Sequence, residues 1–199
     1  MSHHIRPRTR LNPEIRREQI VDAAERVFQG RDPAEVTFEE IAEAAGVSRG
    51  LVYNYFGDKQ GLVAAVYVRG MQRLDDRLAD AVEGTDDLGE ERLRRIADAY
   101  LAFARDSAWG IASVVGSNSA LTHPEAREAR RRIERLAERW FDGASGPVLA
   151  SGVVGLLEGV ALGWLEDADH VELDDVARAV AALLWSGLAA VGAQTVQPA

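Results

Sequence analysis

Between Ser48 and Lys59 the chain reads SRGLVYNYFGDK, which places a hydroxyl (Ser48), a guanidinium (Arg49), a carboxamide (Asn54), two phenols (Tyr53, Tyr55) and an ammonium (Lys59) close together. These groups donate hydrogen bonds, and none stands in a pattern that pairs a nucleophile with a base. The segment is therefore suited to recognising a partner, depending on which side chains face a core. The rest of the chain offers little covalent chemistry. It has no cysteine, which removes disulfides, thiolate catalysis and zinc–thiolate sites. His3 and His4 are adjacent and His123 and His170 are isolated, so they form no metal-binding constellation and fit caps or exposed positions. No glycine-rich phosphate loop is present. No metal and no cofactor is expected.

The elements that must position these groups are helical. Apolar residues recur at helical spacing and sustained period-two alternation is missing, so the fold class is all-α with about nine helices. Ile20, Ala24, Val27 and Phe28 share a face of a first helix, about Pro13 to Gln29, ended by Gly30. Thr37 followed by Glu40 is a capping box for a second helix, with Val36 and Ile41 as its hydrophobic staple. Gly46 ends that helix in the left-handed conformation. Val47 plugs the turn, and Ser48 caps a third helix whose inward positions are Val52 and Phe56. Asp58 caps a fourth helix, Lys59 to Val82. Further helices are expected at about Leu88–Ser107, Trp109–Asn118, Pro124–Phe141, Pro147–Glu166 and Asp174–Ala193.

Composition agrees with a globular protein: 47% hydrophobic and 28% charged residues in a chain of 199. The net charge of −9 argues against indiscriminate nucleic-acid binding. Its distribution is uneven. Residues 1–17 carry Arg6, Arg8, Arg10, Arg16 and Arg17 against Glu14, a net +4, whereas residues 18–60 carry a net −5. The N-terminus lacks an apolar signal region and a cytoplasmic location is expected. The run from Val148 to Leu165 is nearly long enough to cross a bilayer. Glu158 near its middle and its glycines favour a buried helix instead, so no membrane partner is expected.

Two helices joined by a short glycine turn form a helix-turn-helix, whose second helix can present its N-terminal residues to the major groove of DNA. The surrounding sequence narrows this. IVDAAERVF in the first helix, TFEEIAEAAGVS through the second helix and turn, and LVYNYFGDKQGL into the fourth closely resemble the DNA-binding domain of the TetR (tetracycline-repressor-like) family of bacterial regulators. The resemblance spans Ile20 to Leu62, about the first third of the chain. It implies a DNA-binding domain over residues 1–57, with the basic arm, and an all-α ligand-binding and dimerisation domain over 58–199. It implies a homodimer on a palindromic double-stranded DNA operator, most simply a repressor released by a small-molecule effector. It also implies that Tyr53 and Tyr55 reach toward DNA and that Lys59 touches a backbone phosphate. Glu39 and Glu40 stand where some relatives carry basic residues.

Within that frame, Arg49, Gly50, Leu51 and Asn54 are the candidates for base readout. A guanidinium can take guanine bidentately, a carboxamide can take adenine, an apolar side chain can lie on a thymine methyl, and glycine permits close approach. Thr37 and Ser48 are caps at helix N-termini that also favour an anion. In the middle helices Tyr67, Met71, Tyr100, Phe103, Trp109, Asn118, Trp140 and Glu158 are candidates for lining a mostly apolar effector site, although core packing accounts for most such residues. Arg127, Arg131, Arg135 and Arg139 recur at i+4 spacing, a solvated face by default and an anion site as the alternative. Gly152, Gly155, Gly159 and Gly163 lie along one stripe of the eighth expected helix, and Ala182, Ser186, Ala189, Ala190 and Ala193 offer small residues on the ninth. Interior glycines cost about 1 kcal/mol each, so such a stripe points to close approach by another helix in a two-fold dimer. The alternatives are a DNA-binding regulator that acts through protein partners without a ligand and, last, an enzyme.

Overall fold

Every element among the described residues of the computed structural model is an α-helix. It describes residues 12–29, 31–84, 89–107, 122–141, 144–166 and 170–190. The helices are α1 (Pro13–Phe28), α2 (Phe38–Ala45), α3 (Arg49–Phe56), α4 (Lys59–Val82), α5 (Glu90–Asp106), α6 (Pro124–Glu138), α7 (Gly146–Glu166) and α8 (Leu173–Ala190). The expected helix at Trp109–Asn118, the stop at Gly30, the arginine arm, His3, His4 and Ala193 lie outside the described residues.

Local signals set the ends of the first helices. Thr37 Oγ1 accepts from Glu40 N at 3.3 Å while Glu40 Oε2 accepts from Thr37 N at 2.7 Å, closing the capping box. Val36 and Ile41, on either side of that cap, are fully buried. Gly46 takes φ +65°, and Val47 N donates to Ala42 O at 2.9 Å, a Schellman-type closure that leaves an α-helix without a Cβ penalty. Ser48 Oγ accepts from Leu51 N at 3.3 Å, and Asp58 Oδ1 accepts from Gly61 N at 2.8 Å. C-terminal ends are less regular: α6 stops at Glu138, one turn before Phe141, because Arg139 and Trp140 turn away through short backbone bonds.

Packing divides the helices into two groups that share α4. At the N-terminal end α1 packs on α2, α2 on α3, and α4 on both α1 and α3. Ile20, Phe28, Val36, Ile41, Val52 and Leu62 are completely buried there. Phe56, expected to point inward, is only half-buried, with the Arg17 guanidinium 5.4 Å from its ring centroid. At the other end α5 packs on α8 and α4, α6 on α7 and α4, and α7 on α5. Helices α7 and α8 touch one another only lightly.

Helix α7 departs from the expectation of a buried helix. Val153, Val154, Leu157, Ala161 and Trp164 face inward, but Gly152, Gly155, Gly159 and Gly163 are exposed and Val148 is 73% exposed. It is long and apolar enough to cross a membrane, with 33% of its apolar window buried, so its inward stripe is covered and its glycine face is not.

Candidate nucleic-acid interface and interior cavity

The glycine turn and the Ser48 cap set the third helix on the surface so that its first turn is open. Ser48, Arg49, Gly50, Tyr53 and Asn54 are exposed and Leu51 is half-buried, while Val52 anchors the helix to the core. Among the described residues a Cβ built on Gly50 would meet nothing within 4 Å, so they leave this side of α3 open to a partner. Tyr53 is 43% exposed and stacks edge-on against Phe38, with centroids 4.7 Å apart. Tyr55 is half-buried against the core, its ring 6.2 Å from Phe56.

Several of these donors already hold protein partners. Arg49 pairs with Glu39 at 2.5 Å, donates to Tyr53 Oη at 3.4 Å, and lies 5.3 Å from that ring centroid. The hydrogen bond with Tyr53 and the charge of Glu39 raise its pKa further. Lys59 Nζ donates to Ala34 O at 2.7 Å, so its ammonium is tied back to the loop before α2. The Thr37 hydroxyl donates to Glu40 Oε2 at 2.9 Å, and Arg31 reaches Glu40 Oε1 at 2.8 Å. The backbone N–H of Thr37, then the Arg31 guanidinium, then the Thr37 hydroxyl bring the Glu40 carboxyl down to about 2. The link from Arg49 to Glu39 joins two residues ten apart on different helices, and nothing in their spacing gave it away.

Nearly the length of α4 away, α4, α5, α6 and α7 enclose a cavity of about 240 Å³. Its walls are Leu78, Ala79, Val82, Ile96, Tyr100, Ile133, Leu136, Ala137, Trp140, Val153, Val154 and Leu157, with Asp75, Arg92 and Arg139 as its charged members. Of the candidates from sequence, Tyr100 and Trp140 line it. Tyr67, Met71 and Phe103 are buried elsewhere in the core, Phe103 within van der Waals reach of Gly70. Glu158 is half-buried in an ion pair with Arg130, whose Nε also reaches Glu134 Oε1 at 3.2 Å. Burial works against the Arg130 charge, but the hydrogen bond and charge of Glu158 outweigh it and raise its pKa. Tyr67 Oη is buried beside this pair without a well-formed hydrogen bond among the described residues; burial first, then the Glu158 charge, pushes its pKa up to about 12, against a weaker downward pull from the nearby Arg130. Burial likewise carries Tyr100 well above the ordinary phenol value. Trp109 and Asn118 lie outside the described residues. The wall residues Leu78, Ile96, Ile133 and Leu136 were absent from the sequence candidates, because ordinary apolar helix positions do not announce that four helices converge on a gap.

The small-residue faces are open as well. Among the described residues, no heavy atom of a neighbouring element lies within 4 Å of a Cβ built on Gly152, Gly155, Gly159, Gly163 or Gly187. Ala182, Ser186, Ala189 and Ala190 are exposed on α8, and Leu183 is 58% exposed among them.

Comparison with known proteins agrees with this geometry. Residues 20–66 match the model described as bacterial regulatory proteins, tetR family. The chain is 28% identical over 192 residues to the HTH-type transcriptional activator FasR of Mycolicibacterium smegmatis, covering 92% of this chain and 87% of that protein. A tetR-family transcriptional regulator from Streptomyces coelicolor superposes with a TM-score of 0.73 at 26% identity, over 91% of this chain and 83% of the other. The fold is also that of the transcriptional regulator FadR from Bacillus subtilis in complex with stearoyl-CoA, with a TM-score of 0.64 at 18% identity, over 85% and 98% of the two chains. These proteins are transcriptional regulators and not enzymes. A glycine-turned reading helix on an all-α body thus carries the DNA-binding segment of the tetR family over residues 20–66, in a chain similar along most of its length to transcriptional regulators.

Proposed function

We propose that the protein is a cytoplasmic, ligand-responsive repressor that binds a palindromic operator as a homodimer and leaves it when a mostly apolar small molecule occupies the α4–α7 cavity. The observation that carries this reading is the open first turn of α3, with Arg49, Gly50, Tyr53 and Asn54 exposed on a rigid glycine-turned scaffold. Residues 1–57 form the reading head, with Arg49 and Asn54 on base edges, Leu51 on a methyl group, and Thr37, Ser48, Tyr53, Tyr55 and Lys59 on the backbone. Residues 58–199 hold the effector and the dimer contact. The open glycine face of α7 and the small residues of α8 support a two-fold four-helix contact between copies. A regulator of the same fold holds stearoyl-CoA, which supports an apolar effector here. The effector acts only through its different affinities for the DNA-fitting and non-fitting arrangements of the dimer.

The test is fluorescence anisotropy on the palindrome footprinted upstream of the protein's own gene. Arg49→Ala should cost about 1–3 kcal/mol on that operator and far less on random DNA. Equal binding of operator by variant and wild type would refute the assignment of α3. Because FasR is named an activator, activation is the second reading. Reporter transcription in the presence and absence of the gene separates the two signs.

A further inference from the structure

The α4–α7 cavity does not end at its apolar walls. Asp75, Leu136 and Arg139 line both that cavity and a second groove beside it, whose other walls are Arg132, Arg135 and Glu138. The two spaces therefore adjoin at these three residues. Together with Arg92, four guanidinium groups face two carboxylates there, in a chain whose net charge is −9. Asp75 is already neutralised by Arg132 at 2.5 Å, and Arg135 is engaged by Glu128 at 2.8 Å. Arg139 is exposed at the C-terminal cap of α6 and makes no ion pair among the described residues. The helix dipole alone favours a cation at that cap. It does not account for a guanidinium set at the junction of an apolar cavity and an arginine-lined groove.

We infer that the effector is an amphipathic anion, with its apolar chain in the α4–α7 cavity and its carboxylate or phosphate head held by Arg139 in the adjoining arginine groove. This inference rests on the cavity being the effector site, as proposed above. Two chemistries meet at one residue. The walls formed by Leu78, Ile133, Leu136 and Leu157 favour a chain without polar atoms. The guanidinium favours an oxyanion, and its planar fork accepts one bidentately. A neutral apolar ligand would gain nothing from the Arg139 charge, and a small anion without a chain would leave the cavity unfilled.

The test is calorimetric titration of the full-length protein with decanol, decanoate and decyl phosphate, each below its aggregation concentration. The anions should bind about tenfold more tightly than decanol at low salt, and the gap should narrow as salt rises. The stronger of the two anions identifies the head group as carboxylate or phosphate. Arg139→Ala should bring both anions to the level of decanol and leave decanol unchanged; circular dichroism checks that it folds. Equal binding of all three probes by the wild type would overturn the inference and keep the cavity as an apolar effector site. So would an Arg139→Ala loss shared by decanol. If none of the probes binds, or if filling the cavity with Leu157→Trp leaves their binding intact, the effector cavity itself is refuted and the inference falls with it.

Discussion

Glu40 is a carboxylate whose charge is held by several donors at once. It accepts from the Thr37 backbone, the Thr37 hydroxyl and Arg31, and its carboxyl sits at about 2 in the folded protein against an ordinary value of 4.5. A depressed carboxylate stabilises the fold above its unfolded pKa, and that stabilisation drains away as pH falls toward its folded pKa. The wild type and Glu40→Gln should therefore differ in melting temperature at pH 7 and converge between pH 4.5 and about 2, as followed by circular dichroism. A second prediction concerns glycine. A Cβ on Gly61 would collide with the carbonyl oxygen of Phe56, where the backbone cannot give way, whereas one on Gly50 would enter open space. Gly61→Ala should lose about 1–3 kcal/mol in urea unfolding. Gly50→Ala should gain about 0.5–1 kcal/mol from helix propensity and still bind operator less well, because in the proposed complex the added methyl meets DNA.

Helices α1 and α4 are joined by more than apolar packing. Arg69, only 14% exposed, pairs with Asp22 and Glu25 of α1, and Arg73 reaches Glu25 at 2.5 Å from a position 49% exposed. Removing the more buried cation leaves Glu25, itself 19% exposed, with one partner fewer in a poorly solvated place. Arg69→Ala should thus cost about 1–3 kcal/mol in urea unfolding and Arg73→Ala less than about 1 kcal/mol. Legibility also differed from element to element. The Thr37–Glu40 box, the Gly46 turn and the Asp58 cap were readable because each is a contact between residues a few positions apart. Helix α4 was legible to both ends for the same reason. The cavity was not. Its walls come from residues 75 to 157, and helical spacing marks Leu78, Ile133 and Leu157 as inward without saying that they leave a space between them. Glu158, a candidate for lining the cavity, is not in its wall and instead pairs with Arg130, supplied by another helix. Arg139 was legible only as the last member of an i+4 series, since spacing does not say that it lines both the cavity and the adjoining groove.

At the scale of the whole molecule, the glycine face of α7 bears on assembly. Leucine at Gly159 adds bulk where the single chain has room, so Gly159→Leu should fold normally by circular dichroism. In the proposed dimer the same bulk stands between two helices, and sedimentation should find a monomer whose operator affinity falls by about 10²-fold or more through loss of the linked second half-site. A variant that stays dimeric would move the interface elsewhere. Helix α4 has its own whole-molecule consequence. It runs unbroken from Lys59 to Val82, with Leu62 packed into the reading head's core and Leu78, Ala79 and Val82 in the cavity wall. Its 24 residues make a rod about 36 Å long. Tilting such a rod by about 5° around its cavity end swings the far end through about 3 Å, close to the 3.4 Å step between successive base pairs. In the proposed dimer, a tilt of that size would carry each reading head almost one base pair out of register with its half-site.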